Sequence, residues 1–263
     1  MFVHNIDPIL LDLGFAQIRY YGLVYSLTFL LIYIMLKVLS KKKKIKLKFH
    51  DVDDLLIYIA LGIMIGARLF YVLFYNIGYF FENPLDIFII WQGGLSFHGG
   101  LFGLIAALII FCRRKSYEFY DISDILTIPF ALGLAMGRIA NFLNGELYGR
   151  ISDVPWAVKF PNAEGFRHPS QIYESFKNFL ILGIEIFLFK KKVPKGIMSW
   201  TFVAMYGVLR FIVEFFRQPD FQIGNNGLFF GWMTMGQILS LPLIIGGIYL
   251  LYRTYKSEKE KYE

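Results

Sequence analysis

Residues 20–39 form a run of twenty with a single charge, Lys37. A helix rises about 1.5 Å per residue, so such a run is long enough to cross a hydrocarbon core of about 30 Å. Six further apolar stretches follow, at 52–75, 97–112, 122–142, 170–189, 196–216 and 232–252. With 56% hydrophobic residues grouped in this way, a water-soluble fold is excluded. In lipid every backbone amide needs a partner within the fold, and helices supply one locally. The short alternating segments of a β-barrel are absent from the pattern. The expectation is an all-α integral membrane protein with seven transmembrane helices, forming one domain over residues 1–263. Small extracytoplasmic segments are expected around 76–96, 143–169 and 217–231.

The net charge of +7 is distributed by loop. KKKKIKLK (41–48), RRK (113–115), KKKVPK (190–195) and RTYKSEKEK (253–261) follow the first, third, fifth and seventh runs, whereas 76–94 contains no Lys or Arg. Basic residues in alternate loops put those loops in the cytoplasm. The N-terminus is then outside, the C-terminus inside, and the span count odd. The basic runs read as solvated cytoplasmic loops, so no nucleic-acid partner is expected. The one cysteine, Cys112, excludes a disulfide within the chain and reads as inert packing. The opening MFVHNIDPILLDLG lacks the pattern of a cleavable signal peptide, and the first run is expected to direct insertion.

Traced through these span directions, the unusual polar residues fall on one side. Tyr21 begins the first span, Arg68 lies in the outer half of the second, and His98 begins the third. Arg138 and Asn141 end the fourth, with Glu146 and Arg150 beyond them. Ser170, Gln171 and Glu174 begin the fifth. In YGVLRFIVEFFR, Tyr206, Arg210, Glu214 and Arg217 are spaced four, four and three apart and share one helical face. Ionisable groups inside spans are costly and tend to face a protein interior or a wet cavity. Each has a plain structural reading. Arg210–Glu214 can be a structural ion pair, Tyr21 an interfacial aromatic, His98 a helix-end histidine. Glu174, Lys177 and Glu185 are left structural or unassigned. The convergence on one outer region favours a shared site, and its chemistry is anion binding. Guanidinium stays charged and presents a planar fork to phosphate oxygens, while asparagine both donates and accepts. The glycines of GGLSFHGGLFG (93–103) allow close backbone approach.

GRIANFLNGELYGR (137–150) closely resembles the signature of prolipoprotein diacylglyceryl transferases. FHGGLFG, RHPSQIYE (167–174), YGVLRFIVEFFRQPD (206–220), YYGLVYSL and ARLFYVLFYN resemble further blocks of that family, in the same order. The segment between Arg150 and Arg167 is short where some members carry an insertion. The resemblance implies a bacterial cytoplasmic-membrane enzyme that moves the diacylglyceryl group of phosphatidylglycerol to the lipobox cysteine of a preprolipoprotein. The products would be a thioether and glycerol 1-phosphate, with no metal or organic cofactor. It also implies roles. Arg138 and Arg210 would grip the phosphate, and Asn141, Glu146 and Gly149 would shape the headgroup site. His98 would be a base for the thiol. Tyr21, Tyr206, Glu214 and Arg217 would complete the site, and Arg68 matches a family position as well. The other reading kept from the residues is a transporter for an anionic solute, although no internal repeat supports it.

Overall fold

The computed structural model describes residues 1–14, 17–161, 163–219 and 228–260. Each expected span is met by a helix: α1 (Tyr20–Lys41), α2 (Asp51–Tyr75), α4 (Phe97–Lys115), α5 (Phe119–Leu143), α6 (Ser170–Lys191), α7 (Ile197–Val213) and α8 (Met235–Lys259). A short α3 (Ile77–Glu82) and two 3₁₀ turns lie between α2 and α4. Among the described residues, four helices, α1, α2, α5 and α8, are long and apolar enough to cross a membrane. The chain is therefore an integral membrane protein by composition and length. Local chemistry sets several helix ends. Ser96 accepts from the Gly99 N–H to start α4, and Thr234 and Gln237 form a reciprocal capping box at α8.

The fold is not purely helical. β1 (Phe2–Val3) pairs in parallel with β4 (Val158–Lys159), β2 (Ile9–Asp12) forms a hairpin with β3 (Gln17–Arg19), and β5 (Leu228–Phe229) pairs with β6 (Met233–Thr234). Strands of two to four residues leave no periodic trace, which is why the all-helical expectation omits them. Asp220, the end of the 206–220 motif, and most of the expected outer segment 217–231 lie outside the described residues.

The chain divides into two compact units. One is residues 33–123; the other joins 1–32 to 124–263. In the first, Gly62 and Gly66 of α2 face Gly99 and Gly103 of α4. A Cβ on Gly62 would lie 2.6 Å from the Gly103 carbonyl oxygen, and one on Gly66 2.7 Å from the Gly103 Cα. Contact this close needs hydrogen in place of a side chain, and it is how helices gain packing where lipid offers no hydrophobic drive. In the second unit, Gly207 of α7 meets Ile244 of α8, and Gly247 of α8 meets Ala204 of α7. The Ser175 hydroxyl of α6 donates to the Ala135 carbonyl of α5 at 3.0 Å, a polar link between two apolar faces. The N-terminal strand docks on the loop after α5, with the terminal ammonium on the Pro155 carbonyl and the His4 ring on that of Phe142.

Candidate functional site

The second unit gathers its charges around Glu174, in the first turns of α6, whose side chain is 2% exposed. Arg210 of α7 donates to Glu174 Oε1, and Arg138 of α5 holds its Nε 3.7 Å from Oε2. Lys177, one turn along α6 and 3% exposed, has its Nζ 3.3 Å from the same Oε2 and 3.9 Å from the centre of the Tyr206 ring. Arg210 also reaches Glu214 Oε2 at 2.7 Å, and Arg217 lies 3.7 Å from that oxygen. Three helices and the segment just after α7 thus bring four basic side chains to two carboxylates. The two arginines that the sequence places on separate spans share one carboxylate.

The loop after α5 extends this network. Arg138 donates weakly to the Asn141 side-chain oxygen at 3.5 Å, and the Asn141 amide donates to Glu146 Oε1 at 2.8 Å. Gln171 in turn donates to the Glu146 carbonyl at 2.6 Å, tying the loop to α6. Gly149 pairs with Arg217 across an antiparallel bridge and donates its N–H to the His168 carbonyl at 2.9 Å. A Cβ there would lie 2.7 Å from that oxygen, so a side chain cannot enter without moving backbone. Tyr21, on α1, packs its ring at a tilt against that of Tyr25, 4.7 Å between centroids, and donates to its hydroxyl at 3.3 Å. The Tyr25 hydroxyl closes over Gly137, the residue before Arg138.

Two expected site residues belong to the other unit. His98 lies on the first turn of α4. Arg68 is buried and spends all five of its N–H donors on backbone carbonyls. Nε reaches Ile87, one terminal nitrogen Gly93 and Gly94, the other Asp86 and Ile89, at 2.6–3.1 Å. Gly93 and Gly94, both at positive φ, let the chain wrap the guanidinium. This geometry makes Arg68 the organiser of the connection between α3 and α4.

Glu174 and Lys177 are the site residues to which sequence reasoning gives no role. Their signal is an acid and a base three apart in the apolar run of α6, a pair that membrane energetics tolerates only with partners nearby. The sequence does not name those partners.

His168, in the loop before α6, stands at the edge of the cluster. Its ring packs on Phe216 at 5.2 Å and its Nδ1 lies 3.1 Å from the Tyr173 hydroxyl. Burial pushes its pKa below the ordinary imidazole value, and the Asp153 carboxylate offsets only part of this. The folded loop therefore prefers the neutral ring, while the unfolded chain takes up the proton first. Stability from this residue is complete above about pH 6.5 and is lost as pH falls toward the lower folded value. Thermal melting should show the protein weakening over this interval, and His168→Gln should flatten the dependence.

A helical membrane protein that surrounds one buried carboxylate with basic side chains from three helices defines a class: a membrane protein with a buried network of paired charges. Residues 8–253 match the family described as prolipoprotein diacylglyceryl transferase. A phosphatidylglycerol–prolipoprotein diacylglyceryl transferase of Geobacter sulfurreducens is 43% identical, over 93% of this chain and 94% of its own. Its namesakes in Photobacterium profundum and Oleidesulfovibrio alaskensis are each 44% identical, over 97% of this chain and 95% of theirs. The chain belongs to the prolipoprotein diacylglyceryl transferase family.

Proposed function

We propose that this protein transfers the diacylglyceryl group of phosphatidylglycerol to the lipobox cysteine of preprolipoproteins, releasing glycerol 1-phosphate. The observation that carries the reading is the joint hold of Arg138 and Arg210 on Glu174, in a chain that matches the family over residues 8–253. The reaction is a displacement at the primary glycerol carbon. The cysteine sulfur forms the new C–S bond, the C–O bond to phosphate breaks, and the electron pair leaves with the phosphate. A phosphodiester carries one negative charge and the departing monoester gains another. Guanidinium groups from α5 and α7 would stabilise that growing charge, and Asn141, with Glu146, would orient the glycerol portion. Tyr21, Tyr206, Glu214, Arg217 and Gly149 would hold those groups in place. The substrate brings its own nucleophile, so the chain needs no thiol at the site.

Seven spans with the N-terminus outside would put the cluster under the outer headgroups of the bacterial cytoplasmic membrane, where the lipid headgroup and the translocated lipobox both lie. The loop charges support this orientation. His98 is the proposed acceptor of the thiol proton. A cysteine has an ordinary pKa of about 8.5, so near neutrality a base raises its thiolate fraction. With His98→Gln the thiol must ionise unaided, so the rate near neutrality should fall by about 10²-fold and the acid limb of the pH–rate profile should follow the thiol's own pKa of about 8.5. A profile that keeps its shape removes His98 as the base. The function itself is tested with purified protein, phosphatidylglycerol labelled in its acyl chains and a lipobox peptide. Label on the peptide cysteine is the expected outcome; flux of an anionic solute without transfer would favour a transporter.

A further inference from the structure

Lys177 has no part in the chemistry above, yet its side chain is 3% exposed on a helix of a membrane protein. Its surroundings explain why a basic side chain is kept there. Glu174 offers two oxygens to three basic groups. Oε1 takes Arg210, whereas Oε2 makes no hydrogen bond among the described residues and is met by ion pairing alone. Of the two cations near Oε2, Lys177 is the closer, at 3.3 Å against 3.7 Å for Arg138 Nε. The ammonium is also restrained by the Tyr206 ring at 3.9 Å and by the Asn178 side-chain oxygen at 3.4 Å. The face of an aromatic ring attracts a cation and restrains where it sits.

We infer that Lys177 is a positioning residue that occupies the Oε2 side of Glu174 and so keeps the Arg138 fork available to an anionic headgroup. A carboxylate and a guanidinium left alone close into a bidentate pair, in which two donors of the arginine are consumed. With Lys177 in place, Arg138 stays at the margin of Glu174 and turns a terminal nitrogen toward Asn141 instead. Without it, the most favourable rearrangement is for Arg138 to slide onto Oε2. The site would then lose an anion donor through an internal salt bridge, with no change in the fold. This inference rests on the phosphate-holding reading of Arg138.

The test uses the full-length protein in detergent micelles, with glycerol 1-phosphate as the anion for equilibrium binding and phosphatidylglycerol with a lipobox peptide for turnover. Lys177→Met should weaken glycerol 1-phosphate binding about tenfold and raise KM for phosphatidylglycerol by a similar factor, with KM for the peptide unchanged. Adding Glu174→Gln to Lys177→Met should recover most of that loss. The amide still offers Arg210 an oxygen but no longer attracts Arg138 as an anion. Lys177→Arg keeps the charge and should remain within about threefold of the parent, which gives a readout should the methionine variant fail to fold. Unchanged anion binding in Lys177→Met overturns the inference. So does a loss that Glu174→Gln fails to repair, since that is the behaviour of a packing residue. A parent protein that binds glycerol 1-phosphate but transfers nothing defeats the proposed function and leaves the Lys177 comparison intact.

Discussion

Alanine at Arg210 is expected to slow diacylglyceryl transfer by about 10²–10³-fold, in line with the loss of one preorganised donor to a developing anion. The effect extends beyond that donor. Arg210 is the group that joins Glu174 on α6 to Glu214 at the end of α7, so its removal leaves two buried carboxylates short of a partner. Breaking a buried pair by deleting one member costs about 3–5 kcal/mol, which makes a folding control essential. Arg210→Lys supplies it. Lysine restores the charge between the carboxylates but lacks the planar fork, so the fold should recover while most of the transfer rate does not. Transfer measured beside a melting curve separates the two effects. Full turnover by folded Arg210→Ala would remove phosphate anchoring from the mechanism.

The second large effect is expected from a position with no side chain. Gly149→Ala would drive a Cβ to within 2.7 Å of the His168 carbonyl oxygen and 2.8 Å of its Cβ. Backbone must move to admit it, at a cost of about 1–3 kcal/mol for an overpacked site. The hydrogen bonds at stake are Gly149 N–H to His168 and Arg150 N–H to Phe216, which pin the loop after α5 to the loop before α6 and to the segment after α7. Arg217 is the bridge partner of Gly149, and it lies 3.7 Å from Glu214. A methyl group at 149 should therefore reach the Arg210–Glu214 pair through Arg217. The expected result is a lowered Tm together with a loss of transfer larger than the destabilisation explains at the assay temperature. Parent-like melting and turnover would show that the close approach is relaxed at little cost.

The helices are legible in the sequence because their determinants are local. A run of twenty apolar residues fixes a span, and i, i+4 spacing on α7 fixes a face, so Tyr206, Arg210, Glu214 and Arg217 group together by spacing alone. The meeting of Arg138 and Arg210 follows from sequence only through the outer side that the expected span directions assign to both. What joins them, Glu174, has no sequence role because an acid on a helix does not announce which neighbours it faces. Lys177 is hidden for the same reason. Arg68 has a structural task that its sequence does not show. Its five carbonyl partners, 18–26 residues away, come together only when the chain folds around it. The paired strands at the N-terminus and beside α8 are too short for any period to show.

Arg138 and Arg210 are proposed to hold the same phosphate, and the rest of the mechanism depends on it. Dipolar recoupling between ³¹P of phosphatidylglycerol and ¹⁵N of arginine-labelled protein in bilayers measures this directly, with R138K and R210K assigning the signals. A phosphate bonded by both forks should lie within about 4 Å of nitrogens from each, and each substitution should remove part of the contact. A contact untouched by one of the two substitutions, or none at all, would contradict it.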